Sequence, residues 1–330
     1  MMHDAETIII GAGPAGLACA AVLKMRGHSS LVLEQSDKIG IAWRNHYDRL
    51  HLHTHRKHSG LPGLPMPSTY EKYPTRQQVV SYLETYAQYH EIKPVFNTTV
   101  LSVRQDGQWI VETDKGPYQA ANVIFAAGMA TTPHIPTWPG YETFPGDVIH
   151  SSTYKNPAAF KGKKMLVVGF GNSGGEIAMD LADAGNETYL AVKGVVNVIP
   201  RDLLGIPILS FSISQAWLPY KLVDTLNMPI MRLVIGDLRA YNLPQSDKGP
   251  MAQIVEDGRI PLLNIGTLER IKSGQIRICR GLERINGKTI YFTDGASEEF
   301  DAIILATGYR VDLHDMLPDH HDVLNEEGVP

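Results

Sequence analysis

The sequence predicts an α/β fold made of two similar units, each with a β-meander, the second inserted into the first. Three observations lead to this prediction. An apolar strand, a glycine-rich turn and an Ala/Leu-rich helix follow one another at residues 6–23. The same order returns at residues 164–179, and both halves continue with alternating apolar and polar residues, at 99–128 and 275–308. A repeat of this kind indicates one architecture used twice within one chain.

The first unit opens with a strand that runs into glycines at Gly-x-Gly-x-x-Gly spacing. Gly11 permits the tight turn, Gly13 lets a phosphate approach the backbone, and Gly16 lets the helix lie close to the strand. The start of that helix then offers free N–H groups to an anion. The next predicted strand ends at Glu34, near the position where this motif carries an acid for ribose hydroxyls. We therefore predict a Rossmann-like dinucleotide site formed by Glu34 and by the turn residues Gly11, Ala12, Gly13, Pro14, Ala15 and Gly16.

The second unit repeats the glycine pattern but changes the charge at the end of its next strand. Where the first unit has Glu34, the second has Lys193. An acid there bonds a free ribose 2′-hydroxyl, whereas a cation suits a 2′-phosphate, so the first unit is interpreted as an FAD site and the second as an NADPH site. Lys193 as an ordinary exposed lysine is the alternative, and Arg201 is then the source of the charge. The predicted turn residues are Gly169, Phe170, Gly171, Asn172, Ser173 and Gly174.

Bulk properties exclude several classes of function. With 330 residues, 43% of them apolar, the chain can bury a large core and is long enough for about two domains. A formal net charge of −5 and a pI near 6.2 argue against a nucleic-acid partner. Nowhere do 18 apolar residues run together, so we predict no integral membrane segment. A small-molecule substrate is the expected partner, and a homo-oligomer is left open.

Cysteine usage bears on redox chemistry and on the compartment. Cys19 and Cys279 lie too far apart for a CxxC pair, which argues against a pyridine-nucleotide disulfide reductase. Few cysteines favour a reducing compartment, and the first strand begins so early that no signal peptide is expected. We therefore predict a cytoplasmic protein.

The segment after Glu34 is rich in histidine, at His46, His51, His53, His55 and His58. A metal site is the weaker interpretation, because no carboxylate or thiolate stands in register with these residues on a rigid element. An active-site loop, in which one or two imidazoles face a ligand, is the favoured one. Thr75 is predicted to cap the helix that follows, and residues 203–236 are predicted to form short helices that cover a pocket.

Between the two units, Phe144, Gly146, His150 and Tyr154 stand in the pattern Phe-x-Gly-xxx-His-xxx-Tyr. This pattern resembles the fingerprint of class B flavin-dependent monooxygenases. Tyr154, where Baeyer–Villiger enzymes usually carry Trp, favours the flavin-containing monooxygenase branch. Further runs, which together extend the resemblance over nearly the whole chain, are similar to the YUCCA-type indole-3-pyruvate monooxygenases. They lie at residues 47–53, 73–78, 198–205, 266–268, 278–281 and 300–309.

The resemblance implies an enzyme in which NADPH reduces FAD, and a C4a-(hydro)peroxyflavin formed with dioxygen then oxygenates a small organic substrate. Oxidative decarboxylation of a 2-oxo acid such as indole-3-pyruvate is the activity of the YUCCA branch. N- or S-oxygenation of a soft nucleophile is an alternative, and so is a catalytically incomplete nucleotide-binding protein. No metal is expected.

The resemblance also implies roles for single residues. His53 aligns with an Asn that faces the flavin in animal-type enzymes, so we expect it to be the catalytic residue that hydrogen-bonds the peroxide. Ala42 and Trp43 are expected to contact a cofactor. His150 and Tyr154 are expected to shape domain placement and the NADP contact, although a satisfied linker histidine is the alternative for His150.

The predicted FAD-binding domain has two parts, with the NADPH-binding domain between them. Relatives continue beyond Pro330, so the C-terminal part is expected to be short, with a turn at residues 325–330. The predicted bounds are 1–150 for the first part of the FAD-binding domain, 151–306 for the NADPH-binding domain and 307–330 for the return.

Overall fold

The computed structural model describes residues 3–129, 132–319, 324–326 and 328. The chain forms two compact units, named here the first unit and the second unit. The first unit comprises residues 1–46, 55–133 and 309–330, and the second comprises 47–54 and 134–308. The predicted α/β fold, with one dinucleotide-binding unit inserted into another, is confirmed. The sequence predicted the boundaries at 150 and 306, whereas the strand at 147–150 belongs to the sheet of the second unit.

The elements are numbered in chain order. The strands are β1 (His3–Ile10), β2 (Leu31–Leu33), β3 (Val100–Asp106), β4 (Gln108–Thr113), β5 (Tyr118–Phe125), β6 (Thr132–Pro133), β7 (Asp147–His150), β8 (Lys164–Val168), β9 (Glu187–Val192), β10 (Val198–Pro200), β11 (Asp202–Leu203), β12 (Ile206–Pro207), β13 (Leu262–Asn264), β14 (Ile276–Arg280), β15 (Leu282–Asn286), β16 (Thr289–Phe292), β17 (Ser297–Glu299), β18 (Ala302–Leu305) and β19 (Tyr309–Arg310). The helices are α1 (Pro14–Met25), α2 (Ile41–Asn45), α3 (Arg76–Tyr89), α4 (Asn172–Asp183), α5 (Ile208–Ser214), α6 (Tyr220–Ile235), α7 (Pro250–Asp257) and α8 (Thr267–Lys272). Short 3₁₀ turns lie at Arg56–His58, Tyr141–Thr143, Pro157–Phe160 and Leu238–Tyr241.

The first unit is organised by a sheet of order β2-β1-β5-β4-β3. Strand β1 pairs in parallel with β2 and β5, while β3, β4 and β5 form the antiparallel meander that the alternating pattern predicted. Ile8 and Ile9 of β1 are fully buried, as expected for a central strand covered on both faces. The carboxyl end of β1 then leads directly into the first glycine turn.

The second unit is organised by a parallel sheet of order β14-β9-β8-β18-β7. Here the prediction that residues 275–279 begin the second meander is wrong. Strand β14 pairs in parallel with β9, and the meander consists of β15, β16 and β17. Alternation of apolar and polar residues does not distinguish an edge strand of a parallel sheet from a strand of a meander.

The predicted helix after Thr75 is confirmed as α3. The Thr75 hydroxyl accepts the N–H of Gln78, and the Gln78 side chain accepts the N–H of Thr75, which completes a capping box. Residues 203–236 were predicted to form short helices. They contain α5, with 7 residues, and α6, which is longer than predicted at 16 residues. Within the described residues, none of the helices combines the length and apolar character needed to cross a bilayer. Of the predicted C-terminal turn, only residues 325, 326 and 328 lie among those described.

Candidate active site

The first glycine turn is shaped by two close backbone approaches. Gly11 has a φ of +108°, and a Cβ placed on it would lie 2.5 Å from the carbonyl oxygen of Ala126. A Cβ on Gly16 would lie 1.9 Å from the carbonyl oxygen of Gly11, so α1 can approach β1 only without a side chain there. By contrast, a Cβ on Gly13 would meet no atom within 4 Å. The turn is therefore closed against the protein and open at Gly13, as a phosphate cradle has to be.

The second glycine turn repeats this geometry. Gly169 has a φ of +116°, and its added Cβ would lie 2.4 Å from the carbonyl oxygen of Ala306. A Cβ on Gly174 would lie 1.9 Å from the carbonyl oxygen of Gly169, and one on Gly171 would meet nothing within 4 Å. Neither Gly13 nor Gly171, the N-caps of α1 and α4, provides a side-chain cap. Both helix starts therefore fit a dinucleotide pyrophosphate, which supplies the acceptors and the negative charge that the free N–H groups favour.

Glu34 lies at the end of β2 and is bonded to the first turn. Its Oε2 accepts the backbone N–H of Ala12 at 2.7 Å, and its Oε1 accepts the N–H and the hydroxyl of Ser36 at 2.9 and 2.8 Å. Because an ionised carboxylate offers about four lone-pair sites, these bonds leave room for a ribose hydroxyl. Glu34 thus orients the glycine turn, and its role toward a ribose stays a prediction.

The corresponding position of the second unit carries a different charge. Lys193 follows β9 directly, is exposed, and makes no hydrogen bond or ion pair within the described part of the chain. A Cβ on Gly281 would lie 3.3 Å from the Lys193 Cα, so the end of β14 passes close beside it. Arg280, which pairs in register with Val192, adds a cation at this edge that the sequence analysis did not assign. Arg201 is partly buried, with Nε 3.5 Å from Asp202 Oδ2.

The other predicted contact residues lie in the two glycine turns and on α2. Pro14 and Ala15 are exposed at the start of α1. On α2, Ala42 is exposed and Trp43 is half-buried, its ring 6.3 Å from that of His46. In the second turn Phe170, Asn172 and Ser173 are half-buried, and Asn172 Oδ1 accepts the N–H of Leu263 at 2.8 Å, which ties α4 to β13.

His53 belongs by contact to the second unit, although the sequence placed it in a loop after the flavin unit. Its Nε2 lies 2.5 Å from Oε1 of Glu176 on α4, and the Glu176 side chain is almost completely buried. The Glu176 Oε2 is buried and has no hydrogen-bond partner among the residues described. Sequence analysis assigned no role to Glu176.

Tyr154 is 1% exposed and is bonded within the second unit. Its hydroxyl donates to Asp180 Oδ2 at 2.8 Å, and Arg49 Nη1 lies 3.5 Å from Asp180 Oδ1 and 2.7 Å from Asp183 Oδ2. Burial, together with the negative charge of Asp180, raises the pKa of Tyr154 well above its ordinary range. The phenol is therefore a neutral structural donor, and its predicted contact with NADP stays a prediction.

His150 connects the end of β7 to the turn after β18. Its Nδ1 accepts the N–H of Ser152 at 3.1 Å, so its Nε2 carries the proton and donates to the Gly308 carbonyl at 3.0 Å. Burial lowers the pKa of His150, which favours the neutral ring. These contacts match the alternative of a satisfied linker histidine, and an NADP contact stays a prediction.

The structure describes the surroundings of the histidine-rich segment and of Cys279. Throughout the described residues, no three His, Cys, Asp or Glu side chains come together as a set of metal ligands. In the histidine-rich segment, the His55 side chain accepts the N–H of Lys57 and so caps a 3₁₀ turn. Burial raises the pKa of Cys279 to about 12, so its thiolate is disfavoured.

Comparison with known proteins agrees with this architecture. Residues 8–199 match the family model described as pyridine nucleotide-disulphide oxidoreductase. The indole-3-pyruvate monooxygenase YUCCA1 of Oryza sativa subsp. japonica is 40% identical over 98% of this chain and 81% of that protein. The corresponding YUCCA6 of Arabidopsis thaliana is 39% identical over 98% of this chain and 80% of that protein.

Solved structures show the same fold. A flavin-containing monooxygenase from Stenotrophomonas maltophilia has a TM-score of 0.75 and 23% identity, covering 99% of this chain and 84% of that one. A cyclohexanone monooxygenase bound to NADP⁺, from Rhodococcus sp. Phi1, has a TM-score of 0.72 and 18% identity, and the match covers 100% of this chain and 75% of that one. Together with the two open glycine cradles, these similarities support FAD and NADPH as the cofactors. The chain belongs to the flavin-dependent monooxygenases, in the family of the YUCCA-type indole-3-pyruvate monooxygenases.

Proposed function

We propose that this monooxygenase uses NADPH and FAD to convert a 2-oxo acid, with indole-3-pyruvate as the favoured substrate, by oxidative decarboxylation. The observation that carries the proposal is the identity of 40% with an indole-3-pyruvate monooxygenase over nearly the whole chain. The first unit is assigned to FAD and the second to NADPH. Bound flavin, once reduced, supplies the activation of dioxygen, which no amino-acid side chain can provide.

The charges at the two strand ends support this division of cofactors. Glu34 is an acidic residue beside the first cradle, which suits the free ribose hydroxyls of FAD and disfavours a 2′-phosphate. Lys193 and Arg280 place two cations at the corresponding edge of the second sheet, where a 2′-phosphate is recognised in this fold. The second cradle therefore suits NADPH better than NADH.

His53 is proposed as the residue that serves oxygen transfer. Its imidazole is about one-third exposed and is bonded at Nε2, so it has one ring nitrogen left for a reacting partner. A preorganised donor of this kind stabilises developing negative charge and commonly contributes about 3 kcal/mol to the step it serves.

Product analysis by mass spectrometry tests the proposal. Purified protein with FAD and NADPH is given indole-3-pyruvate, a tertiary amine and a sulfide in parallel reactions. We expect indole-3-acetate from the first and little oxide from the other two. Preferential formation of the N-oxide or S-oxide would show that the substrate is a soft nucleophile and not a 2-oxo acid. Absence of any oxygenated product would overturn the assignment of this protein as an enzyme.

A further inference from the structure

A buried acid on α4 has a hydrogen-bond partner, among the described residues, for only one of its two carboxylate oxygens. Glu176 is 3% exposed, with Oε1 on His53 Nε2 at 2.5 Å and Oε2 enclosed without a partner in the described structure. Removing a carboxylate from water is unfavourable unless hydrogen bonds or an opposite charge replace the lost hydration. An apolar residue would pack here without that penalty, so the acid calls for a reason other than packing.

The fold itself does not require an acid at this position. Counted from the third glycine of each turn, Glu176 on α4 corresponds to Ala18 on α1, and the first unit forms the same strand, turn and helix with alanine there. The helix dipole does not explain the acid at position 176 either. Acids stabilise a helix start from its first turn, and Glu176 lies beyond the first turn of α4.

The need to anchor the segment 47–54 does not fully explain why residue 176 is an acid. Arg49 already bonds this segment to α4 through Asp183 at 2.7 Å, and the Asp48 N–H donates to the Lys155 carbonyl at 2.8 Å. The contact between His53 and Glu176 adds a further bond at the end of a segment that is already held. What it adds is control over the protons of the His53 ring.

A histidine bonded to a carboxylate offers its other nitrogen in one of two forms. If neutral His53 donates from Nε2 to ionised Glu176, Nδ1 is an acceptor. If the pair holds one additional proton, Nδ1 is a donor, whichever of the two residues carries that proton. No hydrogen bond reaches Nδ1 from the rest of the described protein, so this nitrogen is the one available to a reacting partner.

We propose that Glu176 is a positioning residue for His53: its carboxylate makes Nδ1 the nitrogen offered to the reaction and holds, together with His53, the proton that Nδ1 donates. This inference rests on the proposed function of His53 and adds Glu176 to it.

A double-mutant cycle tests the coupling between the two residues. The variants are Glu176→Gln, His53→Asn and the two combined, and the measured quantity is oxygenated product formed per NADPH consumed. With His53 present, Glu176→Gln should lower this ratio about tenfold, because a carboxamide cannot hold the shared proton. With Asn at position 53, whose side-chain donor needs no such partner, the same substitution should change it less than twofold.

Asp183→Asn is the matched control, since it removes an acid from the same helix that also bonds the segment 47–54. We expect the control to change the ratio less than twofold. Equal losses from Glu176→Gln in both backgrounds, or an equal loss in Asp183→Asn, would overturn the inference, because a purely structural role does not depend on the residue at position 53.

A second measurement does not depend on catalysis. In protein labelled with ¹⁵N-histidine and free of cofactor, His53 should show one hydrogen-bonded state with the proton at Nε2 shared with Glu176. In Glu176→Gln the ring should average between tautomers, because a carboxamide can donate as well as accept. An unchanged His53 signal would overturn the inference even if the enzyme proved inactive. Failure of the proposed function is recognised separately, as a wild-type protein that forms no oxygenated product.

Discussion

Glu34 accepts the backbone N–H of Ala12 at 2.7 Å, so the acid that ends β2 is bonded to the turn that ends β1. The motif residue expected to bind a ribose therefore also shapes the cradle for the phosphates. A mutation there affects both the fold of the turn and the affinity for the cofactor.

Two substitutions at Glu34 separate these effects. Glu34→Ala leaves the buried Ala12 N–H unpaired and should lower the free energy of unfolding by about 1–3 kcal/mol. Glu34→Gln keeps an acceptor for that N–H, so it should be more stable than the alanine variant yet still bind less flavin than wild type. Urea unfolding and the flavin absorbance of purified protein measure the two quantities. Equal stability of the two variants would show that the bond to Ala12 contributes little.

The matching glycines Gly13 and Gly171 offer a reciprocal test of which cofactor each unit binds. A valine at either position meets no protein atom near its Cβ, and neither glycine has a positive φ, so both variants should fold. Gly13→Val should lose flavin and keep binding of NADP⁺, while Gly171→Val should do the opposite. Flavin absorbance and NADP⁺ titration measure this. The reverse pattern would exchange the cofactors between the units.

Lys193 should discriminate between the two nicotinamide cofactors. Lys193→Ala removes the charge offered to a 2′-phosphate, so we expect about tenfold weaker binding of 2′,5′-ADP, which corresponds to about 1.4 kcal/mol, and little change for 5′-AMP. Lys115→Ala, at an exposed lysine of the first unit, is the control. The same loss for both nucleotides would make Lys193 a general contact, and no loss would transfer the role to Arg280 or Arg201.

Tyr154 is expected to stabilise the second unit without taking part in proton transfer. Its pKa is higher in the folded protein than in the unfolded chain, so its contribution is complete below the unfolded value near 10 and is lost as the pH rises through the folded value. Tyr154→Phe should lower stability at pH 7 by about 1.5–3 kcal/mol, the range for bonds to charged groups, and should show a smaller further loss above pH 10. Unfolding measured at pH 7 and pH 10.5 tests this. Equal alkaline losses in both proteins would contradict it.

Local patterns in the sequence were sufficient for much of this architecture. The spacing of Gly11, Gly13 and Gly16 predicts a strand, a turn and a helix because Gly16 lets α1 lie against the carbonyl of Gly11, five residues earlier. Thr75 predicts a helix start for a similar reason, since the capping box that it forms with Gln78 involves only adjacent backbone. Such features depend on residues that are close in the chain.

Features that depend on distant pairing were not predicted. His53 and Glu176 are 123 positions apart, and nothing in the sequence around either residue reports the other. Alignment of the two repeats offers one signal, because Glu176 stands where the first unit has Ala18. Parallel pairing of β14 with β9 was missed because the alternation of its residues fits two kinds of sheet equally well.

The cellular location and the oligomeric state of the protein require tests of their own. A cytoplasmic location remains a prediction from the sequence, which leaves a homo-oligomer open. Light scattering of the purified protein measures its mass in solution against the 36.4 kDa of one chain.

The central claim, that this chain is an NADPH- and FAD-dependent monooxygenase of a 2-oxo acid, is tested most directly by oxygen labelling. Wild-type protein with FAD, NADPH and indole-3-pyruvate is incubated under ¹⁸O₂. The mass of the product is measured by mass spectrometry, and NADPH consumption is measured by absorbance. We predict indole-3-acetate that carries one ¹⁸O atom, formed with one carbon dioxide and one NADPH consumed, the second oxygen atom leaving as water. NADPH oxidation that yields only labelled hydrogen peroxide, or a product without ¹⁸O, would contradict the claim.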